Sequence, residues 1–236
     1  MTYQFDFSIV WNNLGLLLGG ASKTLEVASL CILFGFVLGL LLALARTLKI
    51  AVVDYFVIAY VELIRNTPFI VQLFVVFYVL PLLGILVDPF PSGVIALSLN
   101  CGGYGTEIIR AGIESIHPSQ LEAAHSLGMS HLQTFRYVIL KPALATMFPS
   151  LSSLFISVML GSSVLSAIST PELTSVANRI TAYQYRHFEI YMFIAGLYLI
   201  MSVLLSMIFK GIELRFLSID EKLNLKTILR AATQVK

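Results

Sequence analysis

The sequence predicts an all-α integral membrane protein, with five transmembrane helices and a cytoplasmic two-helix elbow in a single domain, residues 1–236. Three observations lead there. The chain is 58% hydrophobic and only 12% charged, about half the charged share of an ordinary soluble domain, and its mean hydropathy is +0.89. Five runs free of Asp, Glu, Lys and Arg approach or exceed the roughly 20 residues that a bilayer core requires. The basic residues also gather on one side of those runs. A chain this apolar is not disordered, and a net charge of +2 supplies no field for nucleic acid.

The first run, 27–45, holds 19 residues between Glu26 and Arg46 and gives a span over 22–45. The second, 66–87, gives a span over 62–86, with Pro68 tolerated in a first helical turn behind Asn66 or Thr67 as cap. The third, 89–106, has 18 residues and is softened by Asn100 and the Gly102-Gly103 pair. Charge decides for a span over 92–112. With it, and with the N-terminus outside, twelve of the fifteen Lys and Arg face the cytoplasm, as the positive-inside rule requires. Without it, Arg110, Arg136 and Lys141 move outside. The fourth and fifth runs, of 30 and 20 residues, give spans over 142–168 and 188–210. Lipid offers the backbone no hydrogen-bond partner, so runs of this length are helical.

No cleavable signal peptide is expected, since residues 1–22 carry no Lys or Arg and the first apolar run is already span length. Tyr3 and Trp11 suit the outer interface. The tail, 211–236, is basic and amphipathic through Leu214, Leu217, Leu223 and Ile228, a composition that lies against anionic lipid. Cys31 and Cys101 show no metal or redox spacing, and neither a catalytic constellation nor a metal-ligating one is found.

The elbow, residues 113–141, is the most informative stretch. Ser119 and Glu122 have capping-box spacing after Pro118, and Gly128 stands where a left-handed cap ends a helix. Ser130 and Gln133 repeat the box, and a second short helix runs on until Pro142. Two roles fit its apolar residues Leu121, Leu127, Leu132 and Phe135. They form a face for a soluble partner, or they pack on the protein's own helix ends.

These residues carry a resemblance. Glu122-Ala123-Ala124, with Gly128 four residues beyond, resembles the EAA loop of ATP-binding-cassette importer permeases. Glu62-Leu-Ile-Arg65-Asn66-Thr67-Pro68-Phe-Ile-Val-Gln72, Tyr104-Gly-Thr-Glu107-Ile-Ile-Arg110-Ala-Gly112 and Pro171-Glu172-Leu173-Thr174 resemble segments of the polar amino acid permease family, in order along nearly the whole chain. The resemblance implies a type I importer-like permease subunit in a bacterial inner membrane. Its partners would be a second permease, the same or paralogous, two ATPase subunits that hold ATP and Mg, and an extracytoplasmic amino acid-binding protein. The implied coupling residues are Leu121, Glu122, Ala123, Ala124, Gly128 and Leu132. The chain itself has no phosphate-binding loop and is not expected to be an enzyme or to bind a cofactor. Leu160-Gly161 stands where many relatives carry Lys-Asp, so the substrate class of those relatives does not carry over.

Polar residues inside the spans are costly and therefore informative. Asn66, Gln72, Asn100, Ser162 and Ser163 are candidates for a polar path, with interhelical hydrogen bonding as the alternative for each. Glu107 fits either a pair with Arg110, at i, i+3, or the path, and Glu62 with Arg65 has the same spacing. Glu172, Arg179, Arg186 and Glu189 suit an outer loop, either solvated or meeting a binding protein. An ion-coupled secondary carrier is the competing function, although no internal repeat of the kind such carriers show is present.

Overall fold

The computed structural model describes residues 3–216, without the side chain of Phe216. The predicted tail from Leu217 onward, including Leu223 and Ile228, lies outside the described residues. Among these, every regular element is helical. A short α1 (Ser8–Asn12) leads into α2 (Leu14–Thr47), whose 34 residues reach about 50 Å. The helix starts well before residue 22, because Leu14–Gly20 is uncharged and Lys23 pairs with Glu26 on the helix surface (2.7 Å).

The expected second span straddles a bend. Helix α3 (Ala51–Arg65) and helix α4 (Phe69–Leu82) meet at 109°. Pro68 is extended (φ −62°, ψ 137°) and offers no N–H to α3. Side chains take up the carbonyls freed at the break. Asn66 Nδ2 donates to Glu62 O (2.9 Å), Thr67 Oγ1 to Leu63 O (2.7 Å), and Gln72 Nε2 to Ile64 O (2.8 Å) and Thr67 O (3.1 Å). Glu62 therefore bonds Asn66 (2.6 Å) rather than Arg65, and Arg65 stacks on Tyr104.

Helix α5 (Pro89–Glu114) carries the soft third run and occupies the middle of the molecule, packed against α2 along its length and touching α3, α4 and the fourth rod. Its softness has a packing cause. Cys101, Gly102, Gly103, Gly105 and Thr106 are all buried against other helices, so this helix needs small residues more than lipid-soluble ones. Opposite them on α2 stand Gly35 and Gly39. A methyl group at Gly35 would lie 2.5 Å from Cys101 Cβ, and one at Gly39 would lie 3.1 Å from the backbone of Gly105 and Thr106.

The elbow begins with α6 (Pro118–Ser126) and continues into α7 (His131–Ile168). Two details differ from the expectation. The N-cap of α6 is His117, whose Nδ1 accepts from Ser119 N (3.2 Å), and Pro118 fills N1, so the Ser119–Glu122 capping box does not form. Pro142 does not end the second helix. A π turn over Thr134–Ile139 lies just ahead of it and removes the regular ladder that the proline ring would break, so one rod runs from the elbow into the bundle. The Ser130–Gln133 box forms as expected, and Gly128 is left-handed at φ +71°. Rod α7 tightens into a 3₁₀ turn over Ser162–Ile168 and stops at Ser169 (φ +60°). Helices α8 (Leu173–Gln184) and α9 (His187–Phe216) complete the bundle.

By length and apolar composition α2, α7 and α9 are each able to cross a membrane, and α3 with α4 make one broken crossing if taken together.

Candidate functional site

Two features stand out, a groove between α5 and α7 and the exposed elbow. The groove follows from helix periodicity. Leu97, Asn100, Tyr104, Ile108 and Ala111 repeat at three or four residues along one face of α5. Running the other way, Gly161, Ser157, Leu154, Ser150 and Thr146 do the same on α7. The wall on α7 therefore sets the hydroxyls of Thr146, Ser150 and Ser157 among apolar Met147, Leu154, Val158 and Val164. Thr146 Oγ1 donates to Pro142 O (3.0 Å) and Ser157 Oγ to Ser153 O (2.9 Å), which leaves their oxygens to accept from a guest. Two cavities of about 400 Å³ each lie along this seam between α5 and α7. One is bordered by Phe69, Asn100, Ser157 and Gly161, the other by Arg65, Glu107, Thr146 and Ser150.

The predicted path residues divide. Asn100 and Glu107 border the groove. Gln72 stands one step behind, its Oε1 accepting from Asn100 Nδ2 (2.9 Å) while its amide nitrogen ties down the α3–α4 bend. Asn66 turns back to Glu62. Ser162 is buried and bonds Met159 O (2.7 Å), and Ser163 bonds Leu160 O (2.8 Å), so both serve their own helix. Tyr104, Thr146, Ser150 and Ser157 had not been singled out. The signal for the last three was in the sequence, as hydroxyl or glycine residues at 146, 150, 153, 157 and 161 on an otherwise apolar rod.

At one end of the groove five charges form a chain. Arg46 binds Asp54 (2.7 Å) and Glu107 (2.9 Å), and Arg110 binds Glu107 (2.7 Å) and Glu114 (2.5 Å). It ties the end of α2 and the start of α3 to α5 one turn before the elbow. Glu107 is thereby paired from two sides.

On the elbow, Leu127 is 81% and Leu132 75% exposed, so neither packs on the chain's own helix ends. Glu122, Ala123 and Gly128 are exposed and Leu121 half-buried, whereas Ala124 is buried in the helix that packs on the Thr134–Ile139 turn.

At the other end of the molecule, two carboxylates expected in an outer loop are fully buried. Glu172 caps α8, accepting from Thr174 N (2.9 Å) and Ser175 N (2.5 Å), and takes a third bond from Tyr198 OH (3.0 Å). Burial pushes its pKa up, against those hydrogen bonds, which pull it down. Glu189 accepts from Tyr3 OH (2.5 Å), Asp6 N (3.1 Å) and Arg186 Nη1 (3.2 Å), which pins the N-terminal segment to α9.

A helical bundle with apolar crossings, a solute-sized groove along its central helix and an uncovered apolar elbow defines a class, the membrane-embedded component of a transport system. Comparison with known proteins narrows it. The chain belongs to the family of binding-protein-dependent transport system inner membrane components, which matches residues 35–216. It is 36% identical over 214 residues to the glutamine transport system permease protein GlnP of Escherichia coli K12, covering 90% of this chain and 98% of that one. It is 41% identical over 204 residues to the L-cystine transport system permease protein TcyB of Bacillus subtilis, covering 85% and 86%. A crystal structure of an amino acid ABC transporter with histidines superposes with a TM-score of 0.84 at 36% identity, over 90% of this chain and 100% of that one. The inward-facing methionine transporter MetNI shares the fold, with a TM-score of 0.69 at 21% identity, over 84% and 95%. The bundle is thus the type I importer permease fold, and the chain is a permease component of such a system.

Proposed function

We propose that the chain is the permease subunit of an ATP-driven amino acid importer, paired with a second permease, the same or paralogous, and with two ATPase subunits that hold ATP and Mg. A binding protein delivers the solute from outside, where the N-terminus lies, and the elbow and C-terminus face the cytoplasm. The α5–α7 groove is the solute path, with Asn100 and Glu107 on its walls. Leu121, Glu122, Ala123, Gly128 and Leu132 meet the ATPase, while Ala124 transmits the contact into the bundle.

The observation that carries this reading is the pair of elbow leucines, Leu127 and Leu132, left uncovered at the tip of a structured hairpin. Apolar side chains in that setting match the recognition mode in which a short helix lies in a partner's groove. When the ATPases close on ATP, the elbow is carried with them, and α7, one rod from His131 to Ile168, moves the groove wall. Hydrolysis resets the bundle. The relatives named above are transport permeases of glutamine and L-cystine, which supports an amino acid as cargo.

The test is the assembled complex in proteoliposomes. ATP hydrolysis is expected to rise when an amino acid-loaded binding protein is added outside, with solute accumulating inside. Accumulation driven by a proton gradient without ATP would overturn the reading.

A further inference from the structure

The α5–α7 groove changes character at the level of Tyr104. On one side the cavity is bordered by Phe69, Leu97, Asn100, Tyr104, Ser157 and Gly161, and its lining carries no Asp, Glu, Lys or Arg. On the other it is bordered by Arg65, Glu107 and Arg110, with the Thr146 and Ser150 hydroxyls opposite. Between the two, the Arg65 guanidinium lies over the Tyr104 ring, 5.9 Å from its centre. The stack joins a residue of the uncharged cavity to a residue of the charged one.

The three charges on the inner side differ in what they have left to give. Glu107 holds Arg46 and Arg110, and Arg110 also holds Glu114. Among the described residues Arg65 makes no ion pair, and its guanidinium rests on the aromatic ring. Arg65 feels Glu107 across the cavity without pairing with it, so its guanidinium, resting on a ring, keeps its five N–H donors for an incoming anion. A carboxylate forms charge-assisted hydrogen bonds with it that are stronger than the cation–π contact they replace. Arrival of such a group therefore draws Arg65 off Tyr104 and clears the groove.

We propose that the Arg65–Tyr104 stack is the inner gate of the path, and that Arg65 receives the α-carboxylate of the departing amino acid. This rests on the importer reading above and assigns a release step within it. Arg65 acts on the solute, and Tyr104 acts as the door that Arg65 holds shut.

The complex in proteoliposomes tests both halves. A Ser157→Cys reporter lies beyond the stack, and the native Cys31 and Cys101 are buried and silent to an impermeant thiol reagent. With reagent added on the elbow side, Tyr104→Ala is expected to speed labelling of the reporter thiol about 3- to 30-fold, the factor held by one cation–π contact, while Tyr104→Phe keeps the shield. Arg65→Met is expected to label faster too, and to lower the turnover of uptake by about ten- to a hundredfold, the loss of a hydrogen bond to a charged group, with Arg65→Lys recovering part of it. Adding amino acid is expected to speed labelling in the parent complex, and adding its carboxamide is not.

Labelling that is equally fast with and without the ring, or Arg65→Met uptake at the parent rate, would overturn the gate. Shielding by Tyr104 in a parent complex that takes up no amino acid would instead overturn the importer reading. If Tyr104→Ala fails to assemble, the Arg65→Met labelling rate decides alone.

Discussion

Glu172 shows how a single residue is misplaced when charge alone is read. A carboxylate in the loop after an apolar run suits solvent, and nothing in its immediate neighbourhood says otherwise. Its burial comes from residues far along the chain. Tyr198 OH closes over it from α9, and Thr24 Oγ1 on α2 accepts from Leu173 N (3.1 Å), drawing the start of α8 inward. Replacing Glu172 with Ala removes the N-cap and is expected to lower stability by about 0.5–2 kcal/mol, read as a drop in the melting temperature of the detergent-solubilised protein. Glu172→Gln keeps an acceptor and is expected to lose less. The pH dependence has a definite sign. Because burial holds the folded pKa above its ordinary value, the charged form is the costly one in the folded state. That cost is present above the folded pKa and is relieved as pH falls through it toward the unfolded value. The parent protein is therefore expected to gain stability relative to Glu172→Gln as pH is lowered over that window. A constant difference between the two would show that the carboxylate is solvated.

Among the elements, the α2–α5 crossing does most to order the bundle, and it explains why the third run reads as a marginal span. A helix in contact with lipid must be apolar all round, whereas a helix in contact with other helices must be narrow. The Gly102-Gly103 pair looks like weakness in a count of apolar residues and is the means by which α3 and α2 come close. A methyl group at Gly103 would meet Ile64 at 2.6 Å, and one at Gly102 would meet Leu38 at 2.7 Å. The sequence made the Gly128 turn and the Ser130–Gln133 box of the elbow legible because each depends on neighbours within a few residues. It hid the α3–α4 bend and the unbroken α7, because both depend on how a proline is accommodated. At Pro68 the chain breaks and side chains mend it, while at Pro142 a π turn absorbs the fault. A graded glycine series separates crossing from propensity. Gly19→Ala meets nothing within 4 Å and is expected to be neutral or stabilising by up to about 1 kcal/mol. Gly35→Ala and Gly39→Leu press into α5 and are expected to cost about 1–3 kcal/mol each, seen as lower melting temperatures and poorer yield of folded protein. Equal effects at all three positions would mean that α2 and α5 are not in close contact.

At the scale of the whole molecule, the elbow and the groove are two ends of one mechanical element. Rod α7 begins at His131 beside Leu132 and supplies Thr146, Ser150 and Ser157 to the groove wall. The other wall, α5, leads directly into α6 and is braced by the chain of charges from Asp54 to Glu114. A push on the elbow therefore reaches both walls of the path through two short joints, residues 115–117 before α6 and Gly128 after it, the latter left-handed at φ +71° with open space around it. Leu127 and Leu132 lie exposed among the described residues, so their replacement separates partner binding from folding. The double variant Leu127→Glu, Leu132→Glu is expected to melt at the parent temperature, since surface changes away from packed features fall within about 0.5 kcal/mol. The same variant is expected to lose the ATPase subunits on affinity purification, because two charges are then buried without partners in an apolar groove. Retained ATPase with normal stimulation would place the grip elsewhere on the elbow. A lowered melting temperature in the isolated subunit would show instead that the two leucines pack on the bundle after all, and that the exposed tip is part of the fold and no handle.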